Sequence, residues 1–333
     1  MAIQVLICDD SAFARKQLAN ALPSHWGMQI RFARNGHEAL EIVRQQGADL
    51  LLLDLNMPEL DGYEVLKTIQ GEALQIITVV ISGDIQLQAR QTVMALGAIG
   101  FIKKPIAAIE LKQLLAEYGF YRADDHSTPP AVRDDSSTSI SLFEHLQEMA
   151  NIAMGQATSL LAQLLGVFIH QPIPKVAFIA RSELNMAICV SDSNHQYSRV
   201  CQGFVGAGVS GEALLLFSDS CSKQMAKLLH YDDLNSSAPE MEVLLDMSNI
   251  LFGAFIKGLG EQLDISFGLG QPGMLGQHQP PDELLEHHQP AQELLCIEIP
   301  YELEQQHINC NLLVLLTADS VKRLEQRLMY LTE

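Results

Sequence analysis

The sequence predicts an α/β protein of two domains, an N-terminal doubly wound five-stranded parallel sheet and a C-terminal pseudo-symmetric α+β domain. Three observations predict it. Short apolar runs alternate with amphipathic stretches through residues 1–121, a polar Pro- and Ser-rich segment interrupts the chain at 122–139, and residues 140–333 repeat one pattern of helix, strands and helix.

In the first domain "IQVLIC", "IRFA", "LLLLD", "ITVVIS" and "GFIKK" are apolar enough to be buried strands. Between them "FARKQLANAL", "GHEALEIVRQQ", "GYEVLKTIQ" and "IQLQARQTVMAL" have helical spacing, and "AAIELKQLLAEYG" closes the domain. Strict alternation of strand and helix implies a parallel sheet with helices on both faces, and function gathers at the carboxyl ends of such strands. The break "RADDHSTPPAVRDDSSTS" reads as a flexible linker, 18 residues from 122 to 139, with an r.m.s. span of roughly 23 Å.

After the linker, "LQEMANIAMGQATSLLAQLLG" resembles "LLDMSNILFGAFIKGLGEQLD", and "GEALLLFSDSCSKQMAKLL" resembles "NCNLLVLLTADSVKRLEQRL". These pairs place the two repeats at about 140–230 and 238–333. A polar, Gln- and Pro-rich stretch at 271–292 interrupts the second copy and reads as a solvated loop. Its His278, His287 and His288 have no compact ligand spacing and are not expected to bind metal.

Composition narrows the function classes. Lys+Arg total 21 against Asp+Glu 40, a formal charge of −19 that disfavours nucleic acid and anionic lipid as partners. Six cysteines lie far apart with no CxxC pair, as buried thiols of a reducing compartment do. The opening "MAIQVLICDD" lacks the pattern of a signal peptide, and no stretch is expected to provide the roughly 18–20 apolar residues of a membrane span. A cytoplasmic protein without membrane insertion is expected.

The chemistry concentrates at strand ends. Asp9 and Asp10 follow the first strand and Asp54 the third, and three neighbouring carboxylates repel one another unless a cation joins them. Mg²⁺, which needs one or two carboxylates together with waters and phosphoryl oxygens, fits this donor set. Ser82, after the fourth strand, offers a hydroxyl, and Lys104, beside a proline after the fifth, offers a positive charge. An Asp after a strand also often caps the next helix, but five such residues at the correct ends of four strands point to one site.

In "LQEMANIAMGQA" Glu148 and Asn151 share a helix face at i, i+3, and the second repeat keeps an acid and an Asn, Asp246 and Asn249, at the same spacing. Shared hydrogen bonding of the fold is one explanation. Placing a water for a hydrolytic step is another, since a carboxamide can orient one by hydrogen bonding although it cannot act as a general base.

With these motifs in hand, residues 1–121 resemble the receiver domain of two-component response regulators through "CDDS", "DLNMPELDG", "VVIS" and "FIKKP". The resemblance implies a flavodoxin-like fold with Asp54 as phosphoacceptor. It further implies Mg²⁺ on Asp9, Asp10, Asp54 and the carbonyl of Asn56, Ser82 and Lys104 on the phosphoryl group, Phe101 as an aromatic switch, and a sensor histidine kinase as phosphodonor.

Residues 140–333 resemble the CheC-type chemotaxis phosphatases, with CheX and FliY relatives, through "EMANIAMGQATSLLAQLL" and the weaker "DMSNILFGAFIKGL". That resemblance implies a hydrolase acting on a phosphorylated CheY-type receiver. Glu148 would pair with the receiver lysine and Asn151 would place the water, with Asp246 and Asn249 as a second, shortened site. It leaves a receptor-modifying deamidase open as a further partner. The rival expectation is a catalytically silent CheC-like domain, a phosphorylation-gated adaptor for flagellar-switch or receptor-complex proteins. Phosphorylation of Asp54 would control access to Glu148 and Asn151, or the attached receiver would itself be the substrate.

Overall fold

The computed structural model describes residues 3–23, 27–45, 47–120, 142–180, 197–218, 221–229, 237–279, 293–303 and 308–332. The linker at 122–139, Cys189, His287 and His288 lie outside the described residues. The chain divides into two compact units, Met1–Glu148 and Met149–Glu333. The division falls inside helix α6 (Leu142–Leu165), so the first turns of that helix belong to the first unit.

In the first unit β1 (Gln4–Cys8), β2 (Gln29–Ala33), β3 (Leu50–Leu53), β4 (Ile77–Ser82) and β5 (Gly100–Lys103) form a sheet in the order β2-β1-β3-β4-β5, parallel throughout. This is the expected five-stranded parallel sheet. The four leucines of β3 are all buried, as a central strand covered on both faces requires.

One face packs Val5, Ile7, Leu50, Leu52, Val79, Ile81 and Ile102 against Leu18 of α1 (Ala12–Ala21) and against Leu111 and Leu115 of α5 (Ala108–Glu117). Helices α2 (Gly36–Arg44), α3 (Gly62–Gly71) and α4 (Leu87–Ala95) complete the unit, with α2 packed on α3. Local signals fix three helix starts: the side chains of Ser11, Asn35 and Asp61 each accept a hydrogen bond from the backbone N–H three residues on.

The second unit is built on a seven-stranded antiparallel sheet. Its path is β10 (Gly273–Gln279), β7 (Tyr197–Gly206), β8 (Val209–Ser218), β12 (Ile308–Leu316), β11 (Glu293–Leu303), β6 (Lys175–Ala180), with β9 (Gly268–Leu269) pairing β7 off that path. Helices α7 (Ser222–Leu228), α8 (Ser237–Leu263) and α9 (Ala318–Thr332) accompany it, and the element order is α6 β6 β7 β8 α7 followed by α8 β9 β10 β11 β12 α9. Alternate residues Ala213, Leu215, Phe217, Leu312, Val314 and Leu316 are buried on one face, and Leu214, Leu216, Cys296, Leu313 and Leu315 cluster on the other. Gly258 faces Ala153 where α8 meets α6; a Cβ there would stand 2.9 Å from the Ala153 Cα, so the helices approach backbone to backbone.

Two expectations are corrected. The stretch 271–292 is not loop throughout, because Gly273–Gln279 pairs with β7 and carries His278 into the sheet. Edge pairing with register shifts needs few apolar side chains, and composition therefore concealed the strand. Helix α8 contains a segment, Met241–Leu263, long and apolar enough to cross a membrane by length and composition, and 61% of its most apolar window is buried inside the unit. Its polar residues are spread thinly along the length instead of interrupting it.

Candidate functional site

Parallel pairing brings the acidic residues together. Cys8 lies in register with Leu53, and the Asp54 amide donates to the Cys8 carbonyl at 2.9 Å, so the chain after β1 and the chain after β3 leave the sheet side by side. One acidic oxygen from each of Asp9, Asp10 and Asp54 lies within 4.8 Å of the others. Across the same sheet end Ser82 is in register with Lys103, and the Lys104 amide donates to the Ser82 carbonyl at 2.9 Å. The Lys104–Pro105 peptide is cis.

The three carboxylates have different bonding. Asp9 is satisfied on both oxygens, accepting from the Ser11 amide at 2.9 Å and from the Lys104 ammonium at 2.8 Å. Asp54 is 2% exposed and neither of its oxygens has a hydrogen-bond partner; Lys104 Nζ stands 3.5 Å from Oδ2, an ion pair without the short contact of a hydrogen bond. Burial pushes the Asp54 carboxyl well above its ordinary value, against the pull of Lys104. Burial and Asp9 push Asp10 up to about 7. For Lys104 burial works against the charge, yet Asp54, Asp9 and Glu148 together outweigh it and hold the ammonium above its usual range.

A fourth acid completes the group. Glu148, 2% exposed, places Oε1 3.0 Å from Lys104 Nζ, while its Oε2 is buried with no hydrogen-bond partner. Burial raises its carboxyl and Lys104 opposes the rise. One ammonium thus serves three carboxylates in a nearly dry setting, where charge interactions are strong and unpaired charge is costly.

Of the other expected residues, Ser82 is fully buried and its Oγ accepts from the Asp84 amide at 3.1 Å. Asn56 is buried in the loop after β3, and Phe101 is half-buried on β5. Asn151 lies in the second unit, where its backbone oxygen and Oδ1 accept from Gln171 Nε2 at 2.9 and 3.2 Å. Asp246 and Asn249 are exposed on α8, so the equivalent of the Glu148 environment is absent at the second motif among the described residues.

Sequence reasoning missed Arg15, whose Nη1 donates to the carbonyls of Asp9 and Asp10 at 2.7 and 3.0 Å and braces the acidic turn. A cation about one turn into the helix that follows an acidic pair was the available signal. It also missed Gln171, which no local motif marks.

Gly62 sets the floor of the site. A Cβ there would lie 2.3 Å from the Asp54 carbonyl oxygen and 2.8 Å from the Leu55 Cα, both backbone atoms that cannot swing away. Gly62→Ala is expected to cost about 1–3 kcal/mol by overpacking, read as a lower urea midpoint, and to displace Asp54. An unchanged midpoint would refute this tight approach.

A family model described as the response regulator receiver domain matches residues 5–116. A Rhodospirillum rubrum protein named protein-glutamate methylesterase/protein-glutamine glutaminase 3 is 39% identical over 113 residues, covering 32% of this chain and 30% of that protein. Its Myxococcus xanthus counterpart, numbered 5, is 43% identical over 108 residues, covering 32% and 31%. The chain spans about a third of the length of these curated relatives. Among solved structures, a chain of the CheX-CheY-BeF3-Mg+2 complex from Borrelia burgdorferi is 30% identical, with 36% of this chain and 90% of that chain covered and a TM-score of 0.34.

These relatives overturn one expectation. They are named for glutamate methyl ester hydrolysis and glutamine deamidation, a different activity from the expected aspartyl-phosphate phosphatase, and that enzymatic assignment is withdrawn. The CheC-type resemblance of residues 140–333 receives no support from them, since the matched lengths are about those of the receiver alone. Residues 5–116, with their β2-β1-β3-β4-β5 sheet and acidic strand ends, are a response-regulator receiver domain.

Proposed function

We propose that the protein is a phosphorylation-gated response regulator of chemotaxis signalling, with Asp54 as phosphoacceptor and residues 149–333 as a non-catalytic, protein-binding output. One observation carries the assignment of Asp54. Among the three clustered aspartates it is buried with both oxygens free of hydrogen bonds, while those of Asp9 are occupied. A carboxylate not tied down by donors is the available nucleophile.

The residues fit a hard divalent cation. Orphaned buried oxygens on Asp54 adjoin two further carboxylates, and Asp9, Asp10, Asp54 and the Asn56 carbonyl would hold Mg²⁺. When bound, the ion offsets negative charge on the phosphoryl oxygens. The protein's own steps are few. An Asp54 oxygen forms a bond to phosphorus as the P–N bond of a phosphohistidine breaks, and the electron pair leaves with the imidazole nitrogen of the sensor kinase. Ser82 Oγ and Lys104 Nζ then hydrogen-bond the transferred group.

For the output, flagellar-switch or receptor-complex proteins are the partners proposed. The net charge of −19 favours basic protein surfaces over nucleic acid. The cytoplasm, where histidine kinases present their phosphoryl groups, is the proposed location. The test is labelling of the full chain by ³²P-acetyl phosphate with Mg²⁺. Wild type takes up label, and Asp54→Asn does not; equal labelling of both would remove Asp54 from the role.

A further inference from the structure

The receiver family uses Lys104 and the aspartates; it does not account for Glu148. This acid reaches the site from α6, 44 positions beyond Lys104 in the chain, and is held there by more than one contact. One turn earlier, His145 packs its ring on Phe13 of α1 with centroids 4.3 Å apart and planes tilted 43°. Positions i and i+3 share a helix face, so the His145 contact and the Glu148 ion pair seat the same face of α6.

We propose that Glu148 is an autoinhibitory latch on the phosphoacceptor site, a reading that rests on Asp54 as the phosphoacceptor. Lys104 is the one cation among the described residues that ion-pairs Asp9, Asp54 and Glu148. A phosphoryl group on Asp54 brings further negative charge and needs a donor from Lys104. While Glu148 is seated, it holds one share of that ammonium and sets a fourth carboxylate beside the incoming anion. Phosphotransfer therefore proceeds against the latch. By linkage, whatever factor the seated Glu148 subtracts from phosphorylation, phosphorylation subtracts from the seating of Glu148. The input chemistry is thereby coupled to the first turns of α6, which continue into the second unit.

The experiment uses the full chain and measures two rates separately: initial labelling by ³²P-acetyl phosphate with Mg²⁺, and loss of label after the donor is removed. Glu148→Gln keeps the shape and removes the charge. It is expected to raise the initial labelling rate about fivefold or more, the lower range of couplings between sites, with loss of label unchanged. His145→Ala loosens the seat without touching the charge and is expected to move the labelling rate in the same direction by less. Labelling rates equal to wild type in both variants would overturn the latch. So would higher labelling traced wholly to slower loss. A wild-type chain that takes no label, or takes it equally as Asp54→Asn, would instead bring down the phosphoacceptor reading, and the latch with it.

Discussion

Lys104→Met is expected to cost the protein about 3–5 kcal/mol in the absence of divalent cations, the range for breaking a buried ion pair from one side. Methionine fills most of the volume of the lysine stem, so little of the loss comes from packing. What remains is charge. Asp9 Oδ2 loses its 2.8 Å partner, Glu148 Oε1 its 3.0 Å partner, and Asp54 the only cation near it among the described residues. Three carboxylates in one dry cluster must then take up protons or open the fold to water.

Urea unfolding in a chelator measures the effect as a lowered midpoint. Adding Mg²⁺ should recover more stability in Lys104→Met than it adds to wild type, because a cation entering the variant meets no ammonium. The recovery follows the logarithm of cation concentration over Kd, about 2.7 kcal/mol at a hundredfold excess. A variant as stable as wild type in chelator would mean that the cluster is paired or hydrated in some other way.

The receiver was legible because its local and global signals agree. Each apolar run is short enough for a strand, four of the five end in a residue with chemistry, and parallel pairing then leaves no choice but to gather those ends, as the Cys8–Leu53 and Ser82–Lys103 registers do. Glu148 was singled out by its spacing from Asn151, but its destination was not legible. The resemblance pointed Glu148 at a receiver lysine and left both the attached receiver and a separate one open; nothing in the sequence beyond a polar linker decided for Lys104. The Gln171 contact of Asn151 was not legible either. A carboxamide aimed at a water and one tied to Gln171 look identical in sequence, because the partner arrives from 20 positions away. The strand Gly273–Gln279 was hidden for a related reason: an edge strand satisfies its backbone against β7 without the apolar alternation that would announce it.

Asp54→Asn is expected to have two opposite consequences, total loss of labelling and a gain in stability of about 1–3 kcal/mol, because a buried charge without hydrogen bonds costs more than a neutral amide in the same place. The substitution keeps the size of the side chain and removes a carboxylate whose two oxygens have no hydrogen bond. Burial raises the folded-state pKa of Asp54 above its unfolded value, so between those two values the folded chain binds more protons than the unfolded one. Stability of the wild type therefore falls as pH rises through that window. The advantage of Asn should vanish in acid, below the ordinary carboxylate pKa, and grow toward neutral pH in chelator. Mg²⁺ should shrink it again by giving the wild-type carboxylate the counter-charge it lacks. Urea midpoints of the two proteins across pH, with and without Mg²⁺, decide the matter. An Asn variant less stable than wild type at neutral pH without cation would mean that Asp54 contributes to holding the fold; a more stable one would mean that its unsatisfied state is kept for reaction at the expense of stability.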